Sequence, residues 1–173
     1  MSAEQGGEPS VSEGREAESE ALTEETADQK IEFSYSYTDS DSKERTEICS
    51  LLVPNRWTFE EKPFGGTFSE SGNKILDITI LPERERESLV ASTKELDTKI
   101  IGSYEYYVDS YETNILEWDD TGGDKHFSLY TLNEYSMLAN GNLYFFRFFC
   151  RADSPVITED DCSRIISTFI ITE

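Results

Sequence analysis

The chain has 173 residues, enough for one ordinary domain and too few for two comfortable ones. Its 36 acidic residues against 15 basic ones give a formal net charge of -21, which opposes nucleic acid and anionic lipid as direct partners, because binding a polyanion needs clustered Lys and Arg. No stretch reaches the roughly 20 apolar residues of a membrane-spanning helix, and the first 30 residues lack the apolar centre of a signal peptide.

Residues 1–30 hold nine Asp or Glu against Arg15 and Lys30, with no aromatic residue. Such a composition cannot bury enough apolar surface to offset the entropy of ordering it, so it reads as a disordered acidic linker. Every Phe, Trp and Tyr lies between Phe33 and Phe169, and the folded domain is expected over 31–173.

Short extended runs follow. "IEFSYSYT" puts Ile31, Phe33, Tyr35 and Tyr37 on one face, the period of a half-buried strand. "EICSLLVP" ends at Pro54, which cannot donate to a sheet ladder, and "NRWTFEE" resumes beyond it. "GGTFSE" and "KILDITIL" are joined through the turn signal "SGN", and Pro82 closes the second. "PERERESLVASTKELDTKI" predicts a helix, with Leu89, Val90, Thr93 and Leu96 as its apolar stripe. "SYEYYVDSYE", "TNILEWD" and "KHFSLYTLN" then read as β-rich runs of an antiparallel meander, with "DDTGGD" turning between the last two.

The densest apolar stretch is "GNLYFFRFFCRADS". Asn140-Gly141 is a hairpin dipeptide, because both residues tolerate positive φ. The run after it is therefore a strand: Tyr144, Phe146, Phe148 and Cys150 share one face, and Leu143, Phe145, Arg147, Phe149 and Arg151 the other. Both faces are largely apolar, which implies a sheet covered on two sides, Arg147 being either paired or laid along its cover. Thr158 with Asp161 approximates a capping box, and Cys162, Ile165, Ile166 and Phe169 make the apolar face of a closing helix. "TFIIT" leaves that helix as a last edge strand.

Candidates for chemistry are few. Cys49, Cys150 and Cys162 have neither CxxC spacing nor a fitting partner in the single His126, so no structural zinc site is expected. Strand parity points Arg147 and Arg151 away from the Cys150 sulfur. Cys150 is thus a buried inert thiol or the partner of Cys162 in a disulfide. His126 reads as an exposed strand-end histidine beside an acidic turn, with no GxSxG elbow or HExxH helix to suggest catalysis. Asp119, Asp120 and Asp124 surround two glycines in an oxygen-rich loop that lacks the ligand spacing of an EF-hand and reads as a solvated turn. "FGG" at Phe64 to Gly66 reads as a bend, without the Lys and Ser or Thr of a phosphate loop. Trp57, Trp118, Tyr104, Tyr106, Tyr107 and Tyr111 are contact candidates, most of them expected in the core. No catalytic residue, cofactor or metal is expected.

The order "LLVPNRW", "GGTF", "ILDITIL", a helix, "YEYYVDSYE", a meander, "GNLYFFRFFC" and an acid-capped helix with "RIISTFII" resembles the PsbP-like family. That family includes photosystem-associated proteins, a eukaryotic Ran-binding relative and bacterial lipoproteins. The resemblance spans Ile31 to Glu173 and implies an α+β fold, an α/β/α sandwich around a central antiparallel sheet. It also implies a domain that binds proteins without catalysis, and no binding residue carries over. The lipoprotein branch implies a bacterial cell-surface protein, outside the cytoplasmic membrane, its acidic segment a spacer from an N-terminal lipid anchor. On that reading Met1 is not the native first residue, and a Cys150–Cys162 disulfide could persist. The expected partner is then a protein or a cell-envelope component, with the membrane engaged only through the anchor. The alternative is an intracellular acidic adaptor or immunity-type inhibitor of a basic protein.

Overall fold

The computed structural model describes residues 27–85, 96–118 and 122–172. Two antiparallel sheets organise them. β1 (Asp28–Thr38), β2 (Glu44–Pro54) and β10 (Ile170–Thr172) form a three-stranded sheet in the order β1-β2-β10. β3 (Thr58–Lys62), β4 (Gly65–Glu70), β5 (Asn73–Pro82), β6 (Asp97–Ile101), β7 (Tyr104–Trp118), β8 (Lys125–Ala139) and β9 (Asn142–Arg151) form a seven-stranded one. Its order is β3-β4-β5-β9-β8-β7-β6, so β9 lies at the centre.

This corrects the expected α/β/α sandwich. Among the described residues a single α-helix, α1 (Glu159–Ser167), is present, and it buries only the stripe Cys162, Ile165 and Ile166. Nine residues are too few to make a layer, and α1 shares its side of the large sheet with the three-stranded sheet. The helix expected over 82–100 has strands at both ends: Pro82 closes β5, a 3-10 turn occupies Glu83–Glu85, and Asp97 opens β6. Its remaining part, residues 86–95, lies outside the described residues.

The core fills the space between the sheets. Phe33 and Tyr35 of β1 and Cys49, Leu51 and Val53 of β2 meet Phe68, Leu76, Ile78, Tyr135, Phe146 and Phe148 from the large sheet. Ring contacts tie the layers, with Phe33 and Phe59 at 5.6 Å and Phe146 and Phe169 at 4.8 Å between centroids. The parity of β9 is the one its alternation predicts: Tyr144, Phe146, Phe148 and Cys150 are buried in this core. The opposite face of the sheet starts buried at Leu143 and Phe145 and opens toward Phe149 and Arg151. Arg147 is paired there, its Nε donating to Glu134 Oε1 at 2.6 Å.

Local chemistry sets the joints. Asn140 and Gly141 take φ of 53° and 76° in the β8–β9 turn, as the dipeptide demands. Thr158 caps α1, Asp161 N donating to its Oγ1 and Asp161 Oδ2 accepting from Thr158 N. The "FGG" segment holds the expected bend, Phe64 lying in the β3–β4 turn, and Gly65, with φ of 127°, opens β4. Gly66 sits in β4 under the Phe59 ring, and a Cβ there would lie 2.2 Å from a ring carbon. "SYEYYVDSYE" and "TNILEWD" are one strand, because β7 keeps an unbroken ladder to β8 from Tyr107 to Trp118.

One buried acid crosses between the sheets. Glu47 of β2 is 2 % exposed and accepts from Tyr37 Oη at 3.0 Å, from Asn140 Nδ2 at 2.6 Å, and from Tyr144 Oη. The three donors come from β1, from the β8–β9 turn and from β9.

Candidate functional site

β7 and β8 run past their neighbours. β9 pairs with β8 only from Tyr130 to Ala139, so the β7–β8 hairpin projects beyond β9 as an arm. Where the arm leaves the sheet, its base faces the β4–β5 turn, and a groove of about 460 Å³ opens between them. Asn73 and Lys74 form one wall; Glu117, Trp118 and His126 form the other; Phe149, Tyr130 and Arg151 supply the floor. A narrower extension of about 50 Å³ continues past Phe149 and Arg151 toward Ser154 and Val156.

Glu117 is the centre of the site. Its register partner His126 presents Nε2 at 3.3 Å from Oε2, and Arg151 Nη1 lies 3.4 Å from the same oxygen. Ser128 Oγ donates to Oε2 at 2.5 Å, and Tyr130 Oη donates to Oε1. Burial pushes the carboxyl group up; the hydrogen bonds from Ser128 and Tyr130, with the charges of Arg151 and His126, outweigh it and hold the group below the usual range. The Tyr130 hydroxyl is driven the other way, to about 12, by burial and then by its bond to Glu117.

The cations around this acid are matched by carboxylates. Arg151 Nε donates to Asp153 Oδ1 at 2.7 Å, and Lys74 Nζ donates to Asp77 Oδ2 at 2.8 Å. Lys74 also lies over the Phe149 ring, 5.2 Å from its centroid, and Lys125 lies 4.2 Å from that of Trp118. Trp118 nevertheless remains 63 % exposed, on the face of the β7–β8 arm that also carries the exposed Leu116 and Phe127.

The residues singled out in the sequence divide between core and groove. Trp57 and Tyr106 are buried, and Tyr104 packs against the core. Tyr111 is bound through its hydroxyl to Glu134 at 2.9 Å. His126 lies in the groove beside Glu117, while Trp118, paired with Lys125, borders the groove and carries its ring on the other face of the ladder. Cys150 faces the core, where Asn133 Nδ2 donates to its sulfur at 3.3 Å and the Cys162 thiol is its neighbour; Arg147 and Arg151 point to the other face. All three cysteines are free. Asp119 and Asp120 lie outside the described residues, and Asp124 is exposed. The sequence reading missed Glu117 and Arg151 as members of one site. A signal existed for Glu117: counting back from the "DDTGGD" turn makes it the cross-strand partner of His126.

The fold and groove define the class of protein as an antiparallel two-sheet β domain with an open cleft on the outer face of its larger sheet. No family model matches the chain, and no curated protein matches it. A crystal structure from Bacteroides thetaiotaomicron VPI-5482, at 1.50 Å resolution, is similar with a TM-score of 0.48 at 11 % identity. The similarity covers 72 % of this chain and 45 % of that one, and a likeness of this degree bears on neither fold nor function.

Proposed function

We propose that the chain is a non-catalytic binding domain that holds its ligand in the groove between Lys74 and Glu117. The observation that carries this reading is the pre-oriented network around Glu117, which fixes donors and acceptors at the mouth of an aromatic-floored cleft. The same network disfavours catalysis. A general acid needs a raised carboxyl pKa, and that of Glu117 is held down. Ser128 commits its proton to Glu117, so it is not the activated nucleophile that His126 would need as a partner.

On this reading the acidic N-terminal segment is a spacer that presents the domain at a bacterial cell surface, and the ligand is a component of the envelope or its surroundings. The test is a titration of the isotope-labelled protein with separated protein, lipid and polysaccharide fractions of the envelope, followed by amide resonances. Shifts gathered at Asn73, Lys74, Trp118, His126 and Arg151, with the added component recovered intact, are the expected result. Shifts confined to other surfaces, or conversion of the component to product, overturn the reading. The intact mass of protein isolated from its native cells tests the anchor: an unmodified soluble chain sinks it.

A further inference from the structure

We infer that a second surface, on the face of the β7–β8 arm away from Glu117, takes up an extended segment of a basic protein partner, which adds as a strand to the free edge of β7. This surface is separate from the groove and does not depend on it. Strand alternation makes it. Leu116, Trp118, Phe127 and Leu129 point to the side of the large sheet that holds the core, and Leu116 stands directly opposite Phe127 in the ladder. Farther along β8 the same face is buried, at Asn133, Tyr135 and Met137. Over the arm nothing among the described residues covers it: all four side chains are exposed, Phe127 by 71 %. Large apolar groups left bare where a packed face runs on mark a contact surface.

The edge beside this face is open too. β6 pairs with β7 only from Tyr104 to Val108, and no strand among the described residues pairs with that edge from Asp109 to Trp118. Long edges are ordinarily guarded by Lys, Pro or a bulge. The edge stretch "DSYETNILEW" has no Lys, Arg or Pro, and its ladder to β8 runs without a register shift. A peptide laid along it gains main-chain hydrogen bonds, while every second side chain lands beside Leu116 and Trp118. Charge selects the occupant. Glu117 is committed to the groove, which leaves Asp109 and Glu112 along the edge, Glu112 being exposed on the apolar face itself, and Asp124 exposed in the turn. Against them this face has Lys125, which lies over the Trp118 ring. A second copy would bring another net charge of -21 to the same acidic edge. A lipid surface would have to take in the acidic turn along with the apolar residues. A strand that alternates apolar side chains with Lys or Arg satisfies both the apolar face and the charge.

The full chain would be panned against a library of random dodecapeptides, and the enriched peptides synthesised and titrated into the isotope-labelled protein. Enrichment of apolar residues alternating with Lys or Arg is expected, with amide shifts from Asp109 to Trp118 and none at Asn73, Lys74 or Arg151. Methylating alternate backbone nitrogens along one edge of the peptide is expected to abolish binding, and along the other edge to leave it unchanged, a difference that side-chain docking alone does not produce. Phe127→Ser and Glu112→Lys, both at exposed positions, are each expected to weaken the peptide about tenfold or more with unchanged far-ultraviolet circular dichroism. No enrichment, enriched peptides without basic residues, or the same response to methylation of either edge overturns the proposal. A free chain that sediments as a dimer, and as a monomer after Phe127→Ser, gives the face to a second copy and overturns it as well. Shifts confined to the groove overturn it and leave the groove as the ligand site; loss of the groove reading in the envelope titration leaves this proposal untouched.

Discussion

Glu117 and His126 face each other across the β7–β8 ladder, Oε2 3.3 Å from Nε2, and the pair closes one wall of the groove at the base of the arm. Because the folded-state pKa of Glu117 lies below its ordinary value of about 4.3, its ionised form stabilises the native state. That contribution is fully present above the ordinary value and is lost as pH falls through the lower native one. Urea midpoints of the wild type and Glu117→Gln, measured from pH 6 to pH 3, are expected to differ at the upper end and converge at the lower. A gap that stays constant across the range would show that the charge of Glu117 is not the source.

Glu47 holds the sheets together by a different logic. Removing it leaves the Tyr37, Asn140 and Tyr144 donors without their shared acceptor in a buried site. Glu47→Ala is expected to cost about 3 kcal/mol or more in urea unfolding, and Tyr144→Phe about 1–2 kcal/mol, since it orphans only part of the carboxyl group. A Glu47→Ala loss within about 0.5 kcal/mol, the scatter of an ordinary surface change, would refute the tie.

Tyr106 supplies the opposite case. It is fully buried among Tyr104, Tyr135 and Phe146, burial pushes its hydroxyl pKa up, and that hydroxyl has no hydrogen-bond partner among the described residues. Tyr106→Phe keeps the ring contacts and removes the unsatisfied group. The variant is expected to unfold at the same urea concentration as the wild type or higher, by up to about 1 kcal/mol. A clear loss of stability would mean that the hydroxyl is satisfied in solution.

The thiols separate native from unfolded protein. Burial pushes Cys49 up to about 12, while the hydrogen bond to Cys150 and then burial push Cys162 up. Thiolates are the reactive form, so Cys49 and Cys162 are expected to stay unmodified by a thiol reagent at pH 8 on a timescale of minutes; the Cys162 hydrogen bond holds Cys150 lower, and its burial in the core is what shields it. All three cysteines should react in denaturant. One reactive thiol per unfolded chain, with two appearing after reduction, would instead establish a disulfide between two of the three, Cys150 and Cys162 being the adjacent pair.

Much of the β9 neighbourhood was legible in the residues alone. The parity of Tyr144, Phe146, Phe148 and Cys150, the Asn140-Gly141 turn, the Thr158 cap and the closing strand all follow from chemistry within a few residues, where φ preference and side-chain period act directly. Glu47 left a trace that went unread: it alternates with Cys49, Leu51 and Val53, so it had to point inward. The layer arrangement was misjudged, because a helical stripe in the sequence does not say how much of a layer its helix can fill.

By itself the sequence determined an acidic chain, a hairpin-rich core and the face on which each β9 side chain lies, because charge, composition and alternation are local sums. Only the tertiary structure decided that β10 joins β2 in a second sheet and that Lys74, Glu117, His126 and Arg151 meet around one groove. Those residues come from β5, β7, β8 and β9, and what brings them together is the order in which the strands pair. That order depends on contacts far apart along the chain, whose loop-closure cost and packing gain no local pattern encodes.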